Sequence, residues 1–269
     1  MWMSLSGEGL ARLRPGLVDA HCHLQDSEFD EDRDDVVKRA RDSGVHAIVT
    51  SSLNYEEGLA ALRLSHKYEG YVYVALGLEP TKLDSEEVDA VRRLITEHRR
   101  EIVAIGEVGL DYYWVREEAL RELQKRLFLD WLSLAEELSV HVVVHSRSAG
   151  KYAVQIVLKS GYRRVLMHAY DGRVGWAQKA AKEGIYFSIP TSVWHSRQKQ
   201  KLVKALPLES LMVETDSPVL SPIRGRRNEP ANLIYAVRKI AEIKGVPPEE
   251  VAEITTKNAL ELFGIRLKT

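Results

Sequence analysis

The feature that most constrains the fold of this chain is a regular alternation of short apolar runs with longer amphipathic segments. The apolar runs predict buried strands at 17–19, 45–51, 71–76, 102–106, 141–145, 164–168, 185–189 and 211–215. Apolar residues at helical spacing predict helices between them, at 30–43, 55–68, 85–99, 117–138, 149–159, 174–182 and 196–206. Two more helices are predicted after the last strand, at 231–244 and 248–262.

Eight strand–helix units in one chain favour a closed TIM (β/α)8 barrel of the α/β class. The chain has 269 residues, and such a barrel typically needs about 250. A doubly wound open sheet is the competing arrangement, but the sequence has no glycine-rich dinucleotide-binding fingerprint to support it. We therefore predict a single domain over residues 1–269, with an additional C-terminal helix.

Composition limits the partners that the protein can have. The formal net charge of -1 argues against general binding of polyanions, although it permits a local basic patch. Cys22 is the single cysteine, the N-terminal sequence lacks the pattern of a signal peptide, and no apolar run approaches the roughly 20 residues of a membrane span. We expect a cytoplasmic monomer with no membrane partner. Residues 1–15 are either an unstructured lead-in or a helix packed under the barrel.

Residues that commonly bind metals follow five of the predicted strands. They are His21, His23, Glu107, His145, His168 and Asp216. The carboxyl ends of parallel strands in a barrel meet at one face, where the catalytic residues of this fold gather. Six nitrogen and oxygen ligands at that face would suit two divalent ions. Mixed imidazoles and carboxylates fit Zn, Mn or Mg, and the residue types do not choose among them.

Each of these residues also has a purely structural interpretation, which for Glu107 is a solvent-facing loop glutamate. His21 and His23 can be a chance pair, although residues two apart in a strand share a face. A buried histidine such as His145 or His168 is often only a hydrogen-bonded core residue. Asp216 precedes Ser-Pro, where an aspartate often serves as a turn former. Their common position after strands favours the metal site over these separate explanations.

The motifs around these residues resemble the TatD family of metal-dependent deoxyribonucleases, within the amidohydrolase-like barrel hydrolases. The resemblance spans nearly the whole chain and rests on the order and spacing of five motifs. They are Leu17-Val18-Asp19-Ala20-His21-Cys22-His23-Leu24, Gly106-Glu107-Val108-Gly109-Leu110-Asp111-Tyr112, Val144-His145-Ser146-Arg147, Met167-His168-Ala169-Tyr170-Asp171-Gly172, and Val213-Glu214-Thr215-Asp216-Ser217-Pro218-Val219-Leu220 followed by Arg227-Asn228-Glu229-Pro230.

The resemblance implies a role for each ligand-type residue. One ion would be held by His21, His23, Glu107 and Asp216, and the other by Glu107, His145 and His168, with Glu107 bridging. Asp216 would also orient or deprotonate the attacking water, so that Glu107 and Asp216 are the catalytic candidates. The chain departs from the family pattern at Gln25, Trp131 and residues 169–171. These departures bear on substrate preference more than on the metal chemistry.

The sequence also suggests which residues contact the substrate. Arg147 and Arg227 lie in family-like motifs and could pair with phosphate oxygens, while Trp194 and His195 follow the seventh strand and could stack on a terminal nucleotide. Tyr112 to Trp114 are expected at the other side of the mouth. An anchor of the loop against the barrel rim is the structural alternative for Trp194.

The leading functional prediction is a metal-dependent deoxyribonuclease, an exonuclease acting on single-stranded DNA or strand ends. A metal-dependent esterase or amidohydrolase, acting on an aminoacyl ester or a small molecule, is the first alternative. Amide-hydrolysing barrel relatives commonly bridge their ions with a carboxylated lysine, which the fourth-strand Glu107 would replace here. The second alternative is a nucleic-acid-binding protein with a vestigial metal site, which the near-neutral charge disfavours.

Overall fold

A computed structural model describes residues 16–267. The described strands are β1 Leu17–Cys22, β2 Val45–Ser51, β3 Val72–Leu76, β4 Ile102–Gly109, β5 His141–His145, β6 Val165–Met167, β7 Tyr186–Pro190 and β8 Leu211–Glu214. The described α-helices are α1 Arg33–Asp42, α2 Tyr55–Lys67, α3 Ser85–Glu97, α4 Glu118–Leu138, α5 Gly150–Ser160, α6 Val174–Lys182, α7 Arg197–Ala205, α8 Leu233–Lys244 and α9 Pro248–Phe263. Short 3-10 turns connect several of these elements.

The eight strands form one parallel sheet in the order of the sequence. Every neighbouring pair from β1–β2 to β7–β8 is parallel. The sheet closes where the chain just after β8 meets β1, because the Asp216 N–H donates to His21 O at 3.0 Å and the His23 N–H to Ser217 O at 2.8 Å. The structure therefore confirms the predicted (β/α)8 barrel.

The two faces of each strand pack against different partners. In β5, Val143 faces the barrel interior, whereas Val142 and Val144 belong to the layer between the sheet and the helices. Successive side chains in a strand point to opposite faces, so a strand that is buried on both faces is apolar throughout. This explains why the strands appeared in the sequence as continuous apolar runs.

The additional C-terminal helix closes the lower end of the barrel. Leu262 and Phe263 at the end of α9 belong to the same apolar cluster as the inward-facing Val18 and Val143. The helix is also fixed by hydrogen bonds from Asn258 to the carbonyls of Leu208 and Leu211, at 3.0 and 2.7 Å. The interior is thus sealed below, and the opposite face carries the strand ends where the candidate ligands lie.

Most boundaries agree with the sequence within about three residues. The prediction for β4 was short by three residues, since Val108 and Gly109 still pair with β5. The prediction for residues 1–15 falls outside the described residues. Within 16–267, the described helices include none that is long and apolar enough to cross a membrane.

Candidate metal centre

The structure brings the six candidate ligands together at the carboxyl ends of five strands. His21 lies in β1 and His23 just beyond it, Glu107 lies in β4, His145 ends β5, and His168 and Asp216 follow β6 and β8. Three overlapping groups have ligand atoms within 4.8 Å of one another: His21, His23 and Glu107; Glu107, His145 and His168; His21, His168 and Asp216.

The carboxylate of Glu107 lies between two pairs of imidazoles. Its Oε2 is 3.2 Å from His21 Nε2 and 3.5 Å from His23 Nε2. Its Oε1 is 3.3 Å from His168 Nε2 and also contacts His145 Nδ1. The two oxygens of one carboxylate thus face different histidine pairs, as a carboxylate shared by two neighbouring ions would.

Asp216 faces the first of these pairs. Its Oδ1 is 3.4 Å from both His21 Nε2 and His23 Nε2. The residue has a left-handed backbone conformation, with φ of 54°, which is uncommon for an aspartate and is held here by the hydrogen bond from its N–H to the His21 carbonyl. This backbone contact fixes the carboxylate beside the histidines.

The first histidine pair is oriented through Ser51 at the end of β2. His23 Nδ1 lies 2.9 Å from the Ser51 carbonyl oxygen, so this nitrogen carries the proton and Nε2 offers its lone pair to the centre. His21 Nδ1 lies 3.1 Å from the Ser51 hydroxyl. The buried Nε2 of His21 faces two carboxylates without a hydrogen bond from any described residue. An aimed, unpaired imidazole nitrogen is the arrangement of a metal ligand.

The second pair is oriented by two buried carboxylates. Asp111 Oδ2 lies 3.0 Å from His145 Nε2, which leaves His145 Nδ1 directed at Glu107. Glu214 Oε2 lies 3.5 Å from His168 Nδ1, and Glu214 Oε1 accepts the Ala169 N–H at 2.9 Å. Such carboxylate–histidine pairs fix the tautomer and ring orientation of metal-ligating histidines. The donor set and its outer contacts therefore fit bound divalent ions.

Without metal, the pKa values of the candidate ligands differ strongly from their usual values. Burial lowers the pKa of His145 and of His168, but Glu107 and the other carboxylates outweigh burial and raise these values to about 9 and about 10. Burial and His168 lower the pKa of His21, but Asp216 and Glu107 outweigh them and raise it to about 9. Burial raises the pKa of Glu107, but His168 and His145 hold it well below its usual range. Without ions, the centre is therefore a network of imidazolium–carboxylate pairs.

Glycine 109 lets two ligand-bearing strands approach closely. A Cβ at this position would lie 2.2 Å from the carbonyl oxygen of His145, and the backbone φ is +141°. An L side chain rarely adopts that conformation and would also displace the strand that carries His145. Gly109 therefore allows β4 and β5 to pack closely beside the candidate ligands.

A cavity of about 520 Å³ opens above the centre. Arg147, predicted to bind substrate, lines it. Trp194, His195 and Arg227 are not among its lining residues. Trp194 packs edge to face on Tyr235, with ring centroids 5.5 Å apart, as the loop-anchor alternative expects.

His195 and Arg227 make contacts within the closing loops. His195 Nε2 lies 3.1 Å from Ser221 O. Arg227 pairs with Asp32, at 2.8 Å from Nη1 and 2.7 Å from Nη2. Substrate binding by these two residues and by Trp194 stays a prediction.

Sequence reasoning missed the residues around the ligands. The sequence placed Ser51 and Glu214 in predicted strands, Asp111 only in a motif, and Lys199 only in the predicted helix 196–206. Lys199 is buried, lines the cavity and donates to the carbonyls of Ala169 and Tyr170 at 2.6 and 2.8 Å. For Glu214 and Asp111 the sequence did offer a signal, because each is an acidic residue that directly follows an apolar run.

Comparison with known proteins decides the family. The family model described as TatD related DNase matches residues 18–264. The chain belongs to the TatD related DNase family. This TatD-family chain is 40% identical to human "Deoxyribonuclease TATDN3" over 259 residues, covering 92% of this chain and 94% of the relative. It is 32% identical over 263 residues to the "3'-5' ssDNA/RNA exonuclease TatD" of Erwinia amylovora, covering 93% and 100%.

A solved structure shares the fold of this TatD-family chain. The crystal structure of YJJV, a TatD homologue from Escherichia coli, superposes with a TM-score of 0.85 at 24% identity, covering 93% of this chain and 98% of the other. At that level of identity the likeness supports the barrel and no further property. It agrees with the strand order described above.

Two departures of this TatD-family chain have structural roles. Gln25 is buried beside Ser51, donating to the Ser51 carbonyl at 2.9 Å and accepting from the Thr50 hydroxyl at 2.6 Å. It therefore supports the strand end that orients His21 and His23. Trp131 is a buried core residue of α4.

Proposed function

We propose that this protein is a metal-dependent phosphodiesterase that removes nucleotides from the ends of single-stranded DNA. The observation that carries the proposal is the division of the Glu107 carboxylate between two histidine pairs. Two-ion sites with a shared carboxylate suit phosphodiester cleavage, since one ion can act at the attacking oxygen and the other at the leaving oxygen. The names of the human and Erwinia relatives supply the substrate class.

The ligands divide into two sets in this proposal. His21, His23 and Asp216 lie at Oε2 of Glu107 and would hold one ion, while His145 and His168 lie at Oε1 and would hold the other. His168 also belongs to a group with His21 and Asp216, and its ring stacks on that of His21 with centroids 3.9 Å apart. Zn, Mn and Mg all suit this donor set.

Asp216 is the proposed acceptor of the proton of the attacking water. Bound divalent ions would supply the remaining chemistry, lowering the pKa of water toward about 7 and neutralising charge on the phosphoryl group. Burial raises the pKa of Asp216, but the neighbouring imidazoles of His21 and His23 lower it below its usual range, so the carboxylate is ionised at neutral pH. Its fixed backbone keeps it at the cavity floor.

Arg147 is the proposed cation for the substrate phosphate. Both Arg147 and Lys199 line the cavity. The Lys199 ammonium already donates hydrogen bonds to two backbone carbonyls, so Lys199 is not placed to bridge two ions as a carboxylated lysine would. Trp194, His195 and Arg227 are retained as predicted outer contacts. We further propose a single domain, a monomer and a cytoplasmic location.

The test is cleavage of end-labelled single-stranded DNA by chelator-stripped protein, with Zn, Mn or Mg restored singly. We expect cleavage to return with a metal and to fall at least about 100-fold in Asp216→Asn, as expected for loss of a positioned proton acceptor. The control is Asp34→Asn, which removes an exposed charge on α1 that pairs with Lys67 at the end of α2. Its activity should match that of the wild type.

Two outcomes would reject the proposal. One is ester or amide turnover far above DNA cleavage by the same metal-loaded protein, which would favour an esterase or amidohydrolase. The other is tight, salt-sensitive DNA binding without cleavage under any ion, which would favour a binding protein.

A further inference from the structure

Aromatic and cationic side chains converge on one wall of the cavity. Trp114 lines the cavity and is 66% exposed, and the neighbouring Tyr113 is 44% exposed. Their rings meet edge to face with centroids 4.9 Å apart. The Arg147 guanidinium lies 4.0 Å from the Tyr113 ring centroid and 5.7 Å from that of Trp114. We call Tyr113, Trp114 and Arg147 the aromatic wall.

The backbone of the aromatic wall is fixed by hydrogen bonds. Asp111 Oδ1 accepts from the N–H groups of Tyr113 and Trp114 at 2.9 and 2.8 Å. The Tyr112 N–H donates to the Arg147 carbonyl at 2.9 Å and joins the two loops. Two large aromatic residues thus stand exposed on an ordered backbone, which lowers the entropic cost of binding a ligand there.

The same carboxylate joins the aromatic wall to the candidate metal centre. Asp111 Oδ1 holds the loop, while Asp111 Oδ2 lies 3.0 Å from His145 Nε2. The position of Trp114 relative to His145 is therefore set by one buried side chain. A ligand on the aromatic wall would have a defined distance from any group that reacts beside Glu107.

The chemistry of the aromatic wall matches a nucleotide with an unpaired base. Exposed indole and phenol rings offer π faces to a nucleobase, and such stacking tolerates any base. Arg147 adds a planar guanidinium that suits phosphate oxygens. A base within a duplex has both faces covered by its neighbours, so stacking on a protein ring requires an unstacked end.

We propose that the aromatic wall is a stacking subsite for the base of a terminal nucleotide, with Arg147 beside its phosphate, and that it selects single-stranded ends. This rests on the proposed DNA-hydrolysing function. It assigns base stacking to Trp114, whose ring lines the cavity, whereas Trp194 packs on Tyr235 outside it.

The test combines a protein change with a substrate change. Wild type, Trp114→Ala and Trp114→Phe are assayed on a single-stranded oligonucleotide and on the same strand with an abasic terminal nucleotide. We expect Trp114→Ala to lower kcat/KM on the normal strand by about 5- to 100-fold, the range for loss of one stacked base. Trp114→Phe should retain most of the activity, because it keeps a ring.

The abasic strand separates stacking from general damage. On that strand the wild type should lose a similar factor, and Trp114→Ala should add little, since the contact is already absent. The matched control is Leu129→Ala, which removes an apolar side chain that is 44% exposed on α4 and does not line the cavity. It should behave as wild type on both strands. An equal effect of Trp114→Ala on both strands, or no effect, would overturn the proposal.

Failure of the proposed function would be visible separately. If the wild type cleaves no oligonucleotide with any ion, the subsite is tested by binding of fluorescein-labelled oligothymidylate to Asp216→Asn, with and without Trp114→Ala. Weaker binding of the double variant by the same factor would support the aromatic wall as a stacking subsite. Equal binding would reject it.

Discussion

Replacing Asp111 by Asn should weaken one of the two proposed metal sites selectively. Asp111 is buried and its Oδ2 accepts the Nε2 proton of His145, so that Nδ1 faces Glu107 and offers its lone pair once the imidazolium has lost its other proton. An amide can present its NH2 group instead and move the imidazole proton to Nδ1, where a metal would bind. Loss of such an outer contact typically costs 10- to 100-fold in metal affinity, about 1.4–2.7 kcal/mol.

The assay is a zinc titration of chelator-stripped protein against a chromophoric competitor, resolving two equivalents. In Asp111→Asn one equivalent should weaken by about 10- to 100-fold while the other keeps its affinity, because His21 and His23 are oriented by Ser51. The matched control is Glu101→Gln, which alters an exposed carboxylate that lies 2.8 Å from His98 Nδ1 and does not line the cavity. Unchanged affinities in Asp111→Asn would refute the reasoning, and an equal loss in both variants would indicate nonspecific damage.

Two further predictions concern protons and packing. Because His21 and His145 have pKa values near 9 and His168 near 10 without metal, all three are protonated at pH 7 and must lose protons to bind ions. Metal affinity should therefore rise from pH 7 to 9, with proton release measurable by calorimetry in buffers of different ionisation enthalpy; binding heats that do not depend on the buffer would contradict this. Gly109→Ala should lower the free energy of unfolding by about 1–3 kcal/mol, because its Cβ would clash with His145 O at positive φ. The control is Gly175→Ala in α6, where the added Cβ would have no atom within 4 Å apart from its chain neighbours and its own helix backbone, so this change should be neutral or slightly stabilising. Equal denaturation midpoints for the two variants would refute the packing argument.

The sequence predicted the barrel well because its strands are buried on both faces. Such strands, for example β5, are apolar throughout, and the helices between them have clear apolar faces. Candidate ligands such as His145 and His168 could also be predicted from the sequence, since polar residues directly after apolar runs lie at one end of a parallel barrel.

The carboxylates that orient the candidate ligands could not be predicted from the hydrophobic periodicity of the sequence. Whether Asp111 meets His145, or Glu214 meets His168, depends on the register between neighbouring strands and on how the following loops turn. Trp194 and Trp114 illustrate the same limit, since both follow strands in loops at the same end of the barrel. Only the packing of each ring distinguishes a loop anchor from a wall of the cavity.

The plug formed by α9 has a consequence for how a polymer can enter. Since Leu262 and Phe263 pack on the inward-facing residues at the lower end of the barrel, the cavity is reached from the opposite face, where the strand ends and the candidate ligands lie. A DNA strand therefore cannot be threaded through the barrel and has to approach the ligands from that face. Entry from one face suits the proposed removal of nucleotides from a free terminus, because such an end can reach the ligands without any passage through the barrel.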